Sequence, residues 1–278
     1  MRKRLLEILA CVSIGAFVAA GPAWAEAARN DTGYKPEVGQ DGKDVVWVPT
    51  SQELVDIMLD MAQLQPGDKL VDLGSGDGRT VISAAKRGIQ ARGIEYNPDL
   101  VALANSAARQ ENVADMALFE QADIFESDFS EATVVTLFLL PKLNMRLRPT
   151  LLSMPPGTRV VSNSFLMEDW EPDETRKAGE DCSGHCIAHK WVVPAKIEGT
   201  WQLEGKKLLF TQKFQKLEGE VVEGDNSTPI TDAQLNGTRL VFNVAGQRYE
   251  GEVDGDQIQG TIAGKQAWKA NRTSTATS

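Results

Sequence analysis

The 278 residues predict an α/β chain, a doubly wound sheet followed by a small antiparallel all-β unit of barrel type. Three observations carry that expectation. A short apolar strand runs into an acidic, triple-glycine turn that opens a helix at Val71-Asp72-Leu73-Gly74-Ser75-Gly76-Asp77-Gly78-Arg79. Strand and helix periodicities then alternate as far as Val193, the pattern of βα units with a mostly parallel sheet. From about Pro194 the helical period stops, and short alternating segments separated by hairpin-type breaks take over.

The N-terminus reads as an export signal over residues 1–25: Arg2-Lys3-Arg4, an apolar run from Leu5 to Ala20 broken by Glu7, and Ala23-Trp24-Ala25 before Glu26. An exported, periplasmic protein is expected, with no membrane span once the signal is removed; tethering through an uncleaved segment is the alternative. Thr50-Ser51-Gln52-Glu53 has the form of a capping box, and Leu54, Ile57, Met58, Met61 and Leu64 follow at helical spacing until Pro66-Gly67 ends the helix. Lys69 to Leu73 is a buried strand. Val81, Ala84, Ala85 and Gly88 give the next helix a small apolar face that suits a sheet. A second strand, Ala91 to Ile94, ends in Glu95, and Asn97-Pro98 caps and starts another helix. Ala117 to Gln121 is a third strand, leading into Ala122-Asp123-Ile124-Phe125. Thr133 to Leu139, continuously apolar and β-branched, reads as a central strand and runs into Leu140-Pro141-Lys142-Leu143-Asn144. Strands at Arg159 to Ser162 and Ala188 to Val193 complete six or seven, with an acid- and proline-rich loop between the last two.

Glycine has no Cβ, so the turn lets backbone N–H groups approach a ligand at a helix N-terminus. A dinucleotide turn, G-x-G-x-x-G, needs a small residue at position 79, where this chain has Arg79. Glu95 lies 23 positions beyond Asp72. One βα unit plus one strand separates them, which places Glu95 at the carboxyl end of the neighbouring strand, where it can accept both hydroxyls of a ribose; an acid there serves NAD equally well.

The D-x-G-x-G-x-G spacing from Asp72 resembles motif I of the class I S-adenosylmethionine-dependent methyltransferases, and V-D-L-G-S-G-D-G-R resembles the signature of small protein-lysine methyltransferases and bacterial relatives. The resemblance covers about residues 45–194. It implies a Rossmann-like methyltransferase domain using S-adenosyl-L-methionine, with Asp72, Gly74, Ser75, Gly76, Asp77, Gly78, Glu95, Tyr96 and Leu139 around the cofactor. It also implies that Asp123 accepts from the adenine amine and Ile124 flanks the ring. The acid- or Asn-Pro-Pro-aromatic tetrapeptide of methyltransferases acting on adenine or glutamine is missing at Leu139 to Asn144, which turns expectation away from those acceptors. Trp47, Asp77, Tyr96, Leu139, Pro141 and Asn144 are expected near the transferred methyl on position alone, and no catalytic base is identified.

The formal net charge of −10 becomes −12 when Arg2, Lys3, Arg4 and Glu7 leave with the signal. No basic patch with interleaved aromatics occurs, so nucleic acid is not an expected partner. The acceptor, protein lysine or another amine, and the oligomeric state stay open. Cys182 and Cys186 remain after export. A local disulfide is the simplest use of them in an oxidising compartment; free thiols, or a zinc site with His185 and His189, are the alternatives, and no metal is assigned.

The all-β unit is expected over residues 197–270, with seven or eight strands and a core supplied by Trp201, Phe210, Phe214, Phe242, Tyr249 and Trp268; Asn271 to Ser278 are expected to be disordered. The function expected is methyl transfer from S-adenosylmethionine. A non-catalytic envelope protein that binds the nucleoside and uses its β-unit to contact a partner is the alternative, with an NAD oxidoreductase behind both.

Overall fold

The computed structural model describes residues 33–179, 182 and 184–274, and the expected export segment lies outside them. Seven strands form one sheet: β1 (Lys69–Leu73), β2 (Gln90–Glu95), β3 (Ala117–Gln121), β4 (Val134–Leu137), β5 (Arg159–Asn163), β6 (Glu174–Lys177) and β7 (Ile187–Val192). Their order is β3-β2-β1-β4-β5-β7-β6, with β1 to β5 parallel and β7 antiparallel to both neighbours. The chain therefore works outward from β1 to β3 and then restarts on the other side of β1 at β4. That reversal opens a crevice at the carboxyl ends of the strands.

Helices α1 (Gln52–Ala62) and α2 (Arg79–Lys86) cover one face of the sheet, and α4 (Pro141–Leu151) covers the other; α3 (Pro98–Gln110) joins β2 to β3. Successive strand residues divide between these layers, as the two-residue side-chain period requires. Leu70, Ala91, Val134 and Val161 pack with Leu54, Met58 and Val81, whereas Val71, Leu73, Val135 and Val160 pack with Leu143, Leu147 and Leu151.

Two local expectations are corrected. The capping box does not form: Ser51 is the N-cap and accepts from the Leu54 N–H at 3.3 Å. Thr50 Oγ1 instead accepts from Asn163 Nδ2 at 3.1 Å, and Glu53 Oε1 accepts from the Gly179 N–H at 2.8 Å, because tertiary partners compete with the local one. The acid- and proline-rich loop contains β6, a charged edge strand in which Glu174 pairs with Arg176 and Lys190. An edge strand protected by charge has no hydrophobic alternation to reveal it.

The rest of the chain closes into an eight-stranded antiparallel barrel: β8 (Gly199–Leu203), β9 (Lys206–Lys213), β10 (Lys216–Glu223), β11 (Asn226–Asn236), β12 (Arg239–Val244), β13 (Gln247–Asp254), β14 (Gln257–Ile262) and β15 (Gln266–Ser274). Consecutive strands pair and β15 returns to β8, so no edge is left open. The interior is filled with side chains. Phe242 lies 5.0 Å from Tyr249 and 6.0 Å from Trp268 between ring centroids, and the Trp201 and Trp268 indoles donate to Ile197 O and Glu250 O at 2.8 and 3.0 Å.

Residues 271–274, expected to be disordered, belong to the closing strand, and Arg272 ties it down by donating to Glu198 O at 2.7 Å and pairing with Asp256 at 2.8 Å. Phe214, expected in the barrel core, sits at the β9–β10 turn and stacks on Trp170 of the sheet layer at 6.0 Å. Its neighbour Gln215 donates to Glu171 O at 2.7 Å, and Ala195 N–H donates to Gly237 O at 2.8 Å. Sheet and barrel belong to one compact unit.

Candidate functional site

A cleft of about 230 Å³ opens at the carboxyl ends of β1, β2 and β4. Asp72, Gly74, Ser75, Gly76, Asp77, Glu95, Tyr96, Asp123, Ile124 and Leu139 all line it. Gly78 does not. It begins α2 with φ 83°, and a Cβ there would come within 2.6 Å of Phe119 Cζ and 2.8 Å of Ala104 Cβ, so its task is to let helix and sheet meet.

The glycine turn keeps its amides for the protein. Gly74 and Ser75 N–H both donate to Ile94 O, at 2.9 and 3.1 Å, Gly78 N–H donates to Ser75 O at 2.9 Å, and Gly76 N–H donates to Glu95 Oε2 at 2.9 Å. The open amides a pyrophosphate needs at a helix N-terminus are therefore already used at these positions, contrary to the ligand-facing amides expected from the glycines. Gly76, at φ 54°, permits close approach of a different kind: a Cβ would stand 2.6 Å from the Trp47 indole nitrogen.

Glu95 is pinned by two backbone donors, Gly76 N–H on Oε2 and Asn97 N–H on Oε1, each at 2.9 Å. A carboxylate has about four acceptor positions, so lone pairs remain for a ligand. Asp72 is buried and accepts from Thr136 Oγ1 at 2.7 Å. Burial, with Glu95 and Asp77 close by, outweighs the Thr136 and Thr80 hydrogen bonds and pushes the Asp72 carboxyl up to about 7. Acids displaced in this way cluster at functional sites, and a cationic ligand would return this one to the charged form.

Trp47, expected near the methyl, does line the cleft, but the sequence reading missed the strap that carries it across. Residues 40–50 line the cleft in one unbroken run, held as a hairpin by Gly39 N–H to Trp47 O at 2.8 Å and Trp47 N–H to Gln40 O at 2.9 Å. Lys43 on the strap pairs with Asp123 and lies 4.6 Å over the Tyr96 ring. Its ammonium holds the Asp123 carboxyl below the usual range, so the group expected to meet an adenine amine is already paired. Arg79 also acquires a role. It forks onto Asp77, with Nη2 to Oδ2 at 2.6 Å, and donates to Thr50 O at 2.7 Å, clamping the strap to the glycine turn.

The far end of the cleft, over β4, β5 and β7, is aromatic. Phe138, Phe165 and His185 line it, with centroid separations of 6.0 Å for Phe138–Phe165, 5.0 Å for Phe138–His185 and 5.8 Å for Phe165–His185. No spacing rule links these three residues, and only the sheet brings them together. His185 belongs to the loop closed by a Cys182–Cys186 disulfide, so those thiols are neither free nor metal ligands. His189 faces Thr175 at 2.9 Å instead. Two residues expected near the methyl are elsewhere: Pro141 starts α4, and Asn144 is buried, donating to Phe165 O and Leu166 O at 3.3 Å.

A Rossmann-like sheet with a carboxylate-rich cleft and a glycine turn closed to phosphate at these amides defines a nucleoside-cofactor domain. Comparisons with known proteins sharpen that. Residues 72–174 match the family described as the ANTKMT methyltransferase domain. The chain is 39% identical over 146 residues to a protein-lysine N-methyltransferase of Saccharolobus islandicus, covering 51% of this chain and 91% of that protein. It is 34% identical over 139 residues to an adenine nucleotide translocase lysine N-methyltransferase of Mus musculus, covering 49% of this chain and 60% of that one. Among solved structures, an RNA methyltransferase of Salinibacter ruber with S-adenosyl-L-homocysteine is 48% identical and superposes with a TM-score of 0.50, covering 54% of this chain and 96% of that chain. The chain belongs to the class I S-adenosylmethionine-dependent methyltransferases, and S-adenosylmethionine is its cofactor.

Proposed function

We propose that this enzyme methylates the ε-amine of lysine in a protein substrate, and that it does so after export. The observation that carries the acceptor is that one continuous cleft is lined both by the carboxylates Asp72, Asp77 and Glu95 at the ends of β1 and β2 and by the apolar Phe138, Leu140 and Phe165 beyond β4 and β5. The lysine named as the acceptor of the Saccharolobus and Mus relatives supports it. The basic n-region, apolar run and Ala23-Trp24-Ala25 support export, as does a disulfide, which persists in an oxidising compartment.

S-adenosylmethionine supplies a methyl group already activated on a sulfonium, with a neutral leaving group. In this assignment Glu95 holds the ribose hydroxyls, Asp72 answers the cofactor's positive charge, and Ile124 and Tyr96 flank the nucleoside. Asp123 reaches the adenine amine only when Lys43 yields its place. Asp77 acts through Arg79, keeping the strap closed over the site. The acceptor amine must arrive unprotonated, and apolar walls favour that form by withholding water from the ammonium. Alignment then supplies much of the acceleration.

The test uses methyl-labelled S-adenosylmethionine with envelope extract, cytosolic extract and total RNA offered in parallel. Label in envelope protein, recovered as methyllysine by mass spectrometry, is expected. Label in RNA alone would overturn the lysine acceptor and bring in the activity for which the Salinibacter structure is named.

A further inference from the structure

We propose that Phe138, Phe165 and His185 form the wall along which the acceptor lysine side chain enters, and that His185, held there by the Cys182–Cys186 disulfide, is a specificity-determining residue. This rests on the lysine acceptor proposed above and names the part of the cleft that would take it.

The two ends of the cleft divide the sheet between them. The glycine turn follows β1, Glu95 ends β2 and Asp123 follows β3, whereas Phe138 follows β4, Phe165 follows β5 and His185 precedes the antiparallel β7, so these last three reach the same end of the sheet. Their rings touch at 5.0 to 6.0 Å between centroids, too close for a cation to sit among them. They make a continuous face rather than a cage. Such a face suits lysine, whose four methylenes lie on apolar rings, and its ammonium is drawn to their π-surfaces at the entrance, before the amine gives up its proton and reaches the methyl group. Leu140, which also lines the cleft, is exposed over 46% of its surface and adds an apolar contact at this end.

His185 is the least expected member, because it is exposed and comes from a loop. Two separate constraints fix it. The disulfide closes the loop, and the ring Nδ1 meets Ser164 Oγ at 3.3 Å, while Ser164 Oγ donates to Asn163 Oδ1 at 2.8 Å and Asn163 Nδ2 donates to Thr50 Oγ1 at 3.1 Å. Thr50 also receives Arg79, so the wall is joined to the strap and the glycine turn by hydrogen bonds. Both His185 and Ser164 occupy left-handed backbone, at φ 53° and 60°.

The probe is the peptide acetyl-Gly-Leu-Lys-Leu-Gly-amide, with its Nε-trimethyllysine form for binding and its unmodified form for transfer. Calorimetry measures the trimethyllysine peptide on protein saturated with S-adenosylhomocysteine. His185→Ala, and the paired Cys182→Ser and Cys186→Ser, should each weaken it about three- to tenfold, as loss of one aromatic face requires. KM for the lysine peptide should rise by the same factor, with kcat within about twofold and S-adenosylhomocysteine affinity unchanged. His185→Phe keeps a ring but loses the bond to Ser164, and should weaken binding clearly less than His185→Ala does. Equal peptide affinity in wild type, His185→Ala and His185→Phe overturns the wall, and so does equal weakening in both variants, because aromatic character would then be irrelevant. Wild-type protein that binds S-adenosylhomocysteine but neither binds nor methylates the peptide overturns the lysine acceptor itself, a result distinct from methylation with an unmoved KM.

Discussion

Asp72→Asn should stabilise the cofactor-free enzyme at alkaline pH and weaken its hold on the cofactor. In the unfolded chain the carboxyl titrates near 3.8, and in the native cleft it is pushed up to about 7, chiefly by burial. Between those values the native protein binds a proton that the unfolded chain has lost, so stability falls as pH rises through the window and levels off above about 7. The displacement of about three units corresponds to a cost of about 4 kcal/mol above pH 7. Asparagine is the same size and can still accept from Thr136 Oγ1, so it removes the charge without opening a cavity.

Urea unfolding of the cofactor-free proteins should therefore show Asp72→Asn more stable by about 2–4 kcal/mol at pH 8, with the gain vanishing below about pH 4. Binding should respond in the opposite direction. S-adenosylhomocysteine carries an ammonium, so the wild-type affinity should rise about tenfold per pH unit from 5 to 7 as Asp72 ionises, and then flatten. Asp72→Asn should bind weakly with no such slope. Parallel stability curves for the two proteins across pH 4–8 would refute the buried, proton-holding carboxyl.

Three further outcomes are expected. Glu95→Gln keeps one acceptor oxygen and turns an amide NH2 toward one of the two backbone N–H donors, so it should raise the calorimetric Kd for S-adenosylhomocysteine about tenfold or more and also lower the melting temperature of the cofactor-free protein. Gly76→Val puts a β-branched side chain at φ 54° against the Trp47 indole; displacement of the strap should quench or shift Trp fluorescence and abolish cofactor binding, and a variant that binds normally would show that the strap is dispensable. Phe214→Ala removes the ring stacked between Trp170 and the barrel, with Arg148 5.4 Å over its face, and should cost about 2–3 kcal/mol in urea unfolding. Two transitions in the variant where the wild type shows one would locate that loss at the junction of sheet and barrel.

The doubly wound sheet was legible because each βα unit carries its own signals: an apolar strand, a turn that only glycine or a cap can make, and an amphipathic helix. Asp72 and Glu95 were legible for the same reason, since one crossover of standard length separates them and sets both at the same end of adjacent parallel strands. Where a residue's partner was remote, the local pattern misled. Glu53 and Thr50 look like a capping box until Gly179 and Asn163 compete for them, and Phe214 looks like barrel core until Trp170 offers its face. Charged β6 had no pattern to read, because an edge strand has only one neighbour to satisfy.

By itself, then, the sequence determined the sheet, through spacings that act over fewer than thirty residues and depend on backbone geometry, and it pointed to the cofactor class through its resemblance to motif I. The tertiary structure decided what the glycine turn does with its amides, that a strap joins Lys43 to Asp123, and that Phe138, Phe165 and His185 share one wall. Those outcomes depend on which distant groups win a limited number of hydrogen-bond and packing partners, and that competition is settled only when the chain has closed on itself.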